Sequence, residues 1–298
     1  MDTTSATSRP IVVGYDASDS AKVALTWAGQ LAESTESEVT VLYAAQAIVY
    51  AQDVSYGLRT SQQQHEYATQ IAEDGAKQIR AAHPSMKVAA MGSLLSASVA
   101  LDEASTTASM IVVGSHGRGR FGAALLGSTA YAVSGHARCP VIVVREAKSP
   151  LPGPERPVVV GADGSVGADR AITAAADMAA LWKAPLVVAT AWTPPPPDPW
   201  DRPPFGYTST EACLKAREHE ATGSNVEALE RVHAKHPDLM VEGVVREARP
   251  EDAVMEATAG AALLVLGSRG HGTLASVLLG STARSVLHQT TMPVMVVH

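Results

Sequence analysis

The stretch Gly114-Ser-His-Gly117-Arg-Gly-Arg-Phe-Gly-Ala-Ala-Leu-Leu-Gly127-Ser128-Thr129 follows the apolar, β-branched run Ile111-Val112-Val113. Glycines let backbone N–H groups turn inward and approach phosphate oxygens closely. Gly127 then opens a predicted helix, whose free N–H groups and positive dipole end suit an anion. A strand, a glycine-rich bend and a helix in this order predict a phosphate-binding loop at the end of a buried strand.

The same pattern occurs again 153 residues later, as Gly267-Ser-Arg-Gly270 followed by Gly280-Ser281-Thr282. The segment that precedes each pattern repeats with an offset of 147 residues, from residues 10–16 to residues 157–163. The second copy therefore holds a six-residue insertion, which falls in the proline-rich stretch that begins at Thr193. We predict a first domain over residues 1–146, an extended and fairly stiff linker over 147–156 and a second domain over 157–298.

Each copy alternates short apolar runs with segments of helical periodicity. In the first copy, strands are predicted at residues 11–13, 39–43, 86–91, 111–113 and 141–144. This order predicts an α/β fold with two tandem doubly wound domains, each a five-stranded parallel sheet in the order 3-2-1-4-5 with helices on both faces. Strands one and four are then neighbours, so we expect Asp16 to face Gly114 across a crevice, and Asp163 to face Gly267.

Several side chains near these loops are candidates for ligand contacts. Asp16 and Asp163 follow the first strands, where a carboxylate can accept a ribose hydroxyl, help to hold Mg²⁺ or cap the next helix. Ser18 or Ser20 is also placed to cap that helix. Both loops carry an Arg and a His at the same two positions (His116 and Arg118, then Arg269 and His271), which either neutralise phosphate or are solvated basic side chains. The glycines themselves are open to a simpler interpretation, in which they only make turns.

The bulk composition narrows the function. The net charge is −7 and the sequence has no run of Lys and Arg, so we expect no nucleic-acid partner. The two cysteines, Cys139 and Cys213, match no metal-ligand spacing. Neither a signal peptide nor an apolar run of membrane-spanning length is present, so a cytoplasmic location without membrane contact is predicted. The proline-rich residues 194–204 form either a polyproline ligand for another protein or a surface loop that borders the crevice.

Taken together, these residues resemble the universal stress protein family, in particular its tandem actinobacterial type. The family's ATP-binding motif, Gly-x2-Gly-x9-Gly-Ser/Thr, is met in both copies, and the family's strand-one Asp matches Asp16 and Asp163. The resemblance implies one ATP or ADP in each domain, with Mg²⁺ held through Asp16 and Asp163 and with adenine near Ala44–Gln46 and Ala191–Trp192. The expected binding residues are Gly14, Asp16, Ala44, Gly114, Gly117, Arg118, Gly127, Ser128 and Thr129, and Gly161, Asp163, Ala191, Gly267, Gly270, Gly280, Ser281 and Thr282.

The resemblance further implies domain pairing through the fifth strands, a homodimer of tandem chains and a regulatory role in stress or growth arrest, with an unidentified protein partner. Two alternatives stay open. One is a slow ATPase or ATP-pyrophosphatase-like enzyme that uses the same sites. The other is a scaffold that has lost its ligand.

Overall fold

A computed structural model describes residues 9–46, 61–117, 126–145, 150–198, 200, 202–271 and 279–298. The chain divides into two compact units, the first made mainly of residues 1–151 and the second mainly of residues 152–298. Within the described ranges, no helix combines the length and apolarity needed to cross a membrane.

The first unit is a five-stranded parallel sheet in the order β3-β2-β1-β4-β5. Its first strand begins level with the second and the fourth, since Ile11 pairs with both Val39 and Met110. The elements are β1 (Ile11–Gly14), α1 (Asp19–Ser34), β2 (Val39–Ala44), α2 (Ser61–Ala82), β3 (Val88–Ser93), α3 (Ala97–Ser105), β4 (Met110–Gly114), α4 (Ser128–His136) and β5 (Val141–Val144).

The second unit repeats this topology in the order β8-β7-β6-β9-β10, again with every strand parallel to its neighbours. Its elements are β6 (Val158–Gly161), α5 (Val166–Trp182), β7 (Leu186–Trp192), α6 (Thr210–Lys235), β8 (Val241–Glu247), α7 (Pro250–Ala257), β9 (Leu263–Gly267), α8 (Ser281–Gln289) and β10 (Val294–Val297). The doubly wound fold and the strand order predicted for each domain are confirmed.

Helices cover both faces of each sheet because successive strand residues point to opposite sides. In the first unit, Gly14 approaches Leu101 of α3, whereas the next residue, Tyr15, lies against Gly75 of α2 on the other face. The central strands are buried on both faces and therefore consist almost entirely of Val, Ile and Leu.

Two local predictions were wrong. The third strand starts at Val88, not at residue 86, because Met86 N still donates to His83 O in the turn that ends α2. The linker is not extended throughout, because Gly153 and Arg156 exchange two backbone hydrogen bonds of 2.9 and 3.2 Å around Pro154 and Glu155. Proline stiffens this segment by forming a turn instead of a straight spacer.

The loop after the first strand has a left-handed residue in each unit. Ala17 has φ +64° and Gly164 has φ +79°. In both loops, the preceding aspartate accepts a 3.0 Å hydrogen bond from the N–H of the following serine, which closes the turn. That serine then caps α1 or α5 by accepting from the N–H three residues on, as predicted for Ser18. Alanine in this conformation is strained, whereas glycine is not.

The two units fill one position in their cores with different pairs of residues. Tyr15 is buried in the first unit, and Gln78 Nε2 donates to its hydroxyl at 3.1 Å. A methyl group on Gly75 would lie 2.9 Å from Tyr15 Cδ1 and 3.0 Å from Val41 Cγ1. The equivalent positions in the second unit carry Ala162 and Ala228, both buried. The first unit thus packs a tyrosine against a glycine where the second unit has two alanines.

Both described cysteines are buried and free. Burial raises the pKa of the Cys139 thiol to about 11, so this side chain stays protonated at neutral pH and acts as a small apolar core residue.

We expect Gly75→Ala to destabilise the wild-type chain but to stabilise the Tyr15→Ala variant by about 1 kcal/mol. In the wild type the new methyl group overpacks against Tyr15, whereas without the ring the better helix propensity of alanine outweighs the remaining 3.0 Å approach to Val41 Cγ1. Chemical denaturation of the four proteins in this double-mutant cycle measures the coupling. Equal effects of Gly75→Ala in both backgrounds would contradict the packing described above.

Exchanging Ala and Gly at the left-handed position should have opposite effects in the two units. Ala17→Gly relieves backbone strain and is expected to raise the free energy of unfolding by about 0.5 kcal/mol. Gly164→Ala introduces that strain and sets a methyl group 2.9 Å from Ser224 Oγ, so a loss of about 1–2 kcal/mol is expected. Thermal melting of the two single variants tests the prediction, and two shifts of the same sign would refute it.

Candidate functional site

The loops after the first and fourth strands of the second unit are joined through Asp163. Its Oδ1 accepts from Ser165 N at 3.0 Å, and its Oδ2 accepts from His271 N at 3.4 Å. The ring of His271 lies back on the same residue, with Nε2 2.7 Å from the Asp163 carbonyl oxygen. One aspartate therefore connects the turn before α5 to the glycine-rich loop after β9.

In the first unit the glycine-rich loop also comes close to the aspartate, and the glycine at this point is Gly117. A methyl group on Gly117 would lie 2.8 Å from Asp16 Oδ2. At Gly114, which was expected to face Asp16, the nearest neighbour is α1, because a methyl group there would lie 2.6 Å from the Ser20 carbonyl carbon. In this motif the first glycine allows helix packing and the second leaves space beside the carboxylate.

In the second unit the roles are divided in the same way. A methyl group on Gly267 would lie 2.9 Å from the backbone carbon of Gly167 in α5, and Gly270 is the glycine that approaches Asp163. Asp163 and Gly267 do line the same cavity, described below, but the glycine in closest contact with the carboxylate is Gly270.

The third glycine of each motif starts the helix that follows the loop. Gly127 N donates to Ser115 O at 2.8 Å, and Gly280 N donates to Ser268 O at 2.8 Å, so each bend is closed at its base. Unlike α1, α5 and α6, which a serine side chain caps, α4 and α8 have a glycine at the N-cap and no side-chain cap. Within the described residues, the next three N–H groups of each helix have no acceptor (Ser128, Thr129 and Ala130; Ser281, Thr282 and Ala283). Such N–H groups can hold an anion.

In the second unit these features line one cavity of about 460 Å³, a volume suited to a small-molecule ligand. All eight residues that the sequence predicted for this copy lie in its wall. They are Gly161, Asp163, Ala191, Gly267, Gly270, Gly280, Ser281 and Thr282, and Arg269 and His271 join them.

The cavity also has an apolar wall that sequence reasoning missed. Pro250 and Val254 of α7 and Leu266 of β9 contribute to it, beside Ala162, Ala168, Ala189 and Ala283. Pro250 stands at the first position of α7, and Val254 lies one turn later on the same face. Two apolar residues four positions apart, directly after the third strand of this unit (β8), were the sequence signal that could have predicted the wall. A flat apolar group fits against such a wall, while the polar end of the cavity faces the start of α8.

The predicted residues of the first unit occupy equivalent positions, as far as the structure describes them. Gly14 ends β1, Ala44 ends β2, and Ser128 and Thr129 open α4. Arg118 lies outside the described residues. The ring of His116 lies against its own loop, with Nδ1 2.7 Å from Ser115 Oγ.

Charge in the cavity of the second unit is mixed. Arg269 and His271 provide basic groups beside a single carboxylate, that of Asp163. The described residues contain no group of three or more His, Cys, Asp or Glu side chains that could hold a metal ion without further ligands. The arrangement is able to bind an anionic ligand through N–H groups, with one carboxylate available to a hydroxyl or to a cation that the ligand itself brings.

Comparisons with known proteins agree with this architecture. The model of the universal stress protein family matches residues 7–145 and again residues 155–298. A universal stress protein of Mycolicibacterium smegmatis is 31% identical over 299 residues, which cover 98% of both chains. One from Mycobacterium tuberculosis is 29% identical over 293 residues, covering 96% of this chain and 95% of the relative.

Among solved structures, the crystal structure of a universal stress protein from Archaeoglobus fulgidus has a similar fold. It superposes with a TM-score of 0.67 at 22% identity and covers 97% of this chain and 98% of its own. The family model matches both halves, and a relative is similar along almost the whole chain. The chain therefore belongs to the universal stress protein family, with one family domain in each half.

Proposed function

We propose that each domain binds one ATP, with Mg²⁺, and that the chain acts as a nucleotide-dependent regulator in stress response or growth arrest. The observation that carries the proposal is the cavity of the second unit, where an uncapped helix start, the three motif glycines and an aspartate meet beside an apolar wall. The triphosphate would lie at the N–H groups of Ser281, Thr282 and Ala283. The base would lie towards Ala191 and Val254.

The residues present fit this ligand. The backbone of the loop forms this part of the binding site, because a side chain on Gly270 would occupy the space beside Asp163 Oδ2. The dipole of a helix start alone contributes only about 0.3–1 kcal/mol to anion binding. The three successive N–H donors add direct hydrogen bonds to the charged phosphate oxygens. Asp163 accepts one N–H at each oxygen, which leaves lone pairs for a sugar hydroxyl or for Mg²⁺.

A regulatory role agrees better with the site than catalysis does. Among the residues described around the cavity, Asp163 is the sole acid, and its carboxylate already fixes two loops. The His271 ring contacts the backbone of Asp163 instead of pointing freely into the cavity. A slow ATPase that uses Asp163 to orient water is the alternative, and turnover separates the two. We further expect the protein to act in the cytoplasm as a homodimer.

Ser281→Glu is expected to abolish ATP binding at the second site without unfolding the domain. A carboxylate in the first turn of a helix is favourable for the helix itself, but it would repel the phosphates at the same N–H groups. Ser128→Glu should do the same in the first domain. By calorimetric titration, each single variant is expected to bind one ATP per chain and the double variant none.

Ser281→Gln and Ser128→Gln are the matched controls, since they are similar in size but uncharged. We expect their affinities to lie within about fivefold of the wild type, against a loss of about 100-fold for glutamate. Two ATP molecules still bound per chain of the double glutamate variant would place the nucleotide elsewhere.

Asp16→Asn with Asp163→Asn tests the role of the two carboxylates. We expect EDTA to weaken ATP binding to the wild type about tenfold and to leave the asparagine variant unchanged, because its neutral side chains no longer hold Mg²⁺. Asp74→Asn, on the exposed surface of α2, is the control.

Phosphate release is measured on the same samples. Turnover of many cycles per minute that disappears in the double variant would favour the slow ATPase.

A further inference from the structure

None of the described residues of the proline-rich segment after β7 lines the cavity described above. It begins at Thr193 and reaches Tyr207, two residues before Ser209, which caps α6, and the structure describes all of it except residues 199 and 201. Residues 193–198 form neither helix nor strand. We refer to residues 193–207 as the proline arm.

The sequence of the arm restricts its backbone conformation. The proline ring limits φ to about −65° at Pro194 to Pro197, and a following proline disfavours the helical region for each residue from Thr193 to Pro196. These restrictions favour a polyproline II helix, which has three residues per turn. Burial follows this period, since Pro195 and Asp198 are half-buried while Pro194, Pro196 and Pro197 are exposed.

The arm thus rests on its domain along one edge and presents another to solvent. Pro194 and Pro197 stand three residues apart on that outer edge. Within the described part of the chain, no carbonyl oxygen from Pro194 to Pro197 accepts a hydrogen bond. A rigid strip of pyrrolidine rings with free carbonyl oxygens is the form in which aromatic-lined grooves bind polyproline, packing on the rings and donating to the oxygens.

Aromatic side chains are concentrated at the end of the same arm. Trp200 is 73% exposed, Phe205 is fully exposed and Tyr207 is 38% exposed. Among the described residues, the exposed large aromatic side chains outside the arm are limited to Tyr67. A stretch of eight residues thus holds three of the four, although aromatic residues are only 4% of the chain. Exposed aromatic residues grouped in this way are typical anchors of protein interfaces.

The position of Trp200 is fixed by its neighbours, not by the domain core. Its N–H donates to Asp198 Oδ1 at 2.8 Å, Asp198 pairs with Arg202 at 3.1 Å, and the Arg202 guanidinium lies 4.8 Å from the indole centroid. The indole is therefore held outward at the end of the polyproline helix. Little chain entropy remains to be lost when such a pre-ordered segment binds.

We propose that the proline arm is a docking peptide for a protein domain with an aromatic-lined polyproline II groove. Pro194 and Pro197 enter the groove, and Trp200 fills a neighbouring pocket. This role is independent of nucleotide binding, since it depends on residues outside the cavity wall.

The test uses the full chain in its native host, with a photo-crosslinking benzoylphenylalanine in place of Phe205. The control carries the same residue in place of Val166, which is 69% exposed at the start of α5. We expect one protein to be crosslinked at position 205 and not at 166, and mass spectrometry of the adduct to identify a domain with an aromatic groove. Circular dichroism and thermal melting confirm that each variant is folded.

Proline variants of the crosslinking chain assign the binding edge. Pro194→Ala with Pro197→Ala should lower the adduct yield at least about tenfold, whereas Pro195→Ala, on the edge that faces the domain, should change it less than about twofold. The proposal is overturned by an adduct yield no higher than at position 166, or by a crosslink to this chain itself. An adduct that survives the double alanine substitution also overturns it.

Discussion

A single backbone hydrogen bond in each half positions the candidate site. Gly127 N donates to Ser115 O, and Gly280 N donates to Ser268 O. The two serines are themselves bonded to the last strand of their sheet, through Val144 and Val297. One such bond contributes only about 1 kcal/mol to stability, but it sets where the helix after the bend can begin. The N–H groups at that helix start are thus held at a fixed place beyond the strand ends, however the glycine-rich loop between them is arranged.

The aspartate after the first strand completes this arrangement from the opposite side. In the second unit it fixes its own turn through Ser165 and the facing loop through His271, so one carboxylate orders both borders of the cavity. The histidine then shields the aspartate backbone, whereas the corresponding position in the first half is Arg118. The halves also differ at the left-handed residue, alanine in one and glycine in the other. If each half binds a nucleotide, these differences favour unequal affinities.

The sequence was sufficient to predict the fold and much of the site because both depend on local rules. Buried parallel strands require apolar runs, and a tight bend before an uncapped helix requires glycine, so both patterns are readable without a structure. Other features depend on contacts that are distant in the chain. The close packing of α1 on Gly114, at the end of β4, is one such contact, and only the structure reveals it. The apolar wall from α7 was missed for the same reason. The third strand was misplaced because an edge strand is half exposed and its pattern is weak.

The first half pairs Tyr15 with Gly75, whereas the second half pairs Ala162 with Ala228. This difference affects how the duplicated halves can evolve. Two tandem copies of one gene segment are prone to recombination, which makes duplicates alike. A crossover that joined the first strand of one half to the second helix of the other would set a tyrosine against an alanine, or leave an alanine beside a glycine and open a void. Either hybrid would fold poorly. Once this pair of substitutions was fixed, the two halves could no longer exchange these segments freely, and each was committed to a separate evolutionary history.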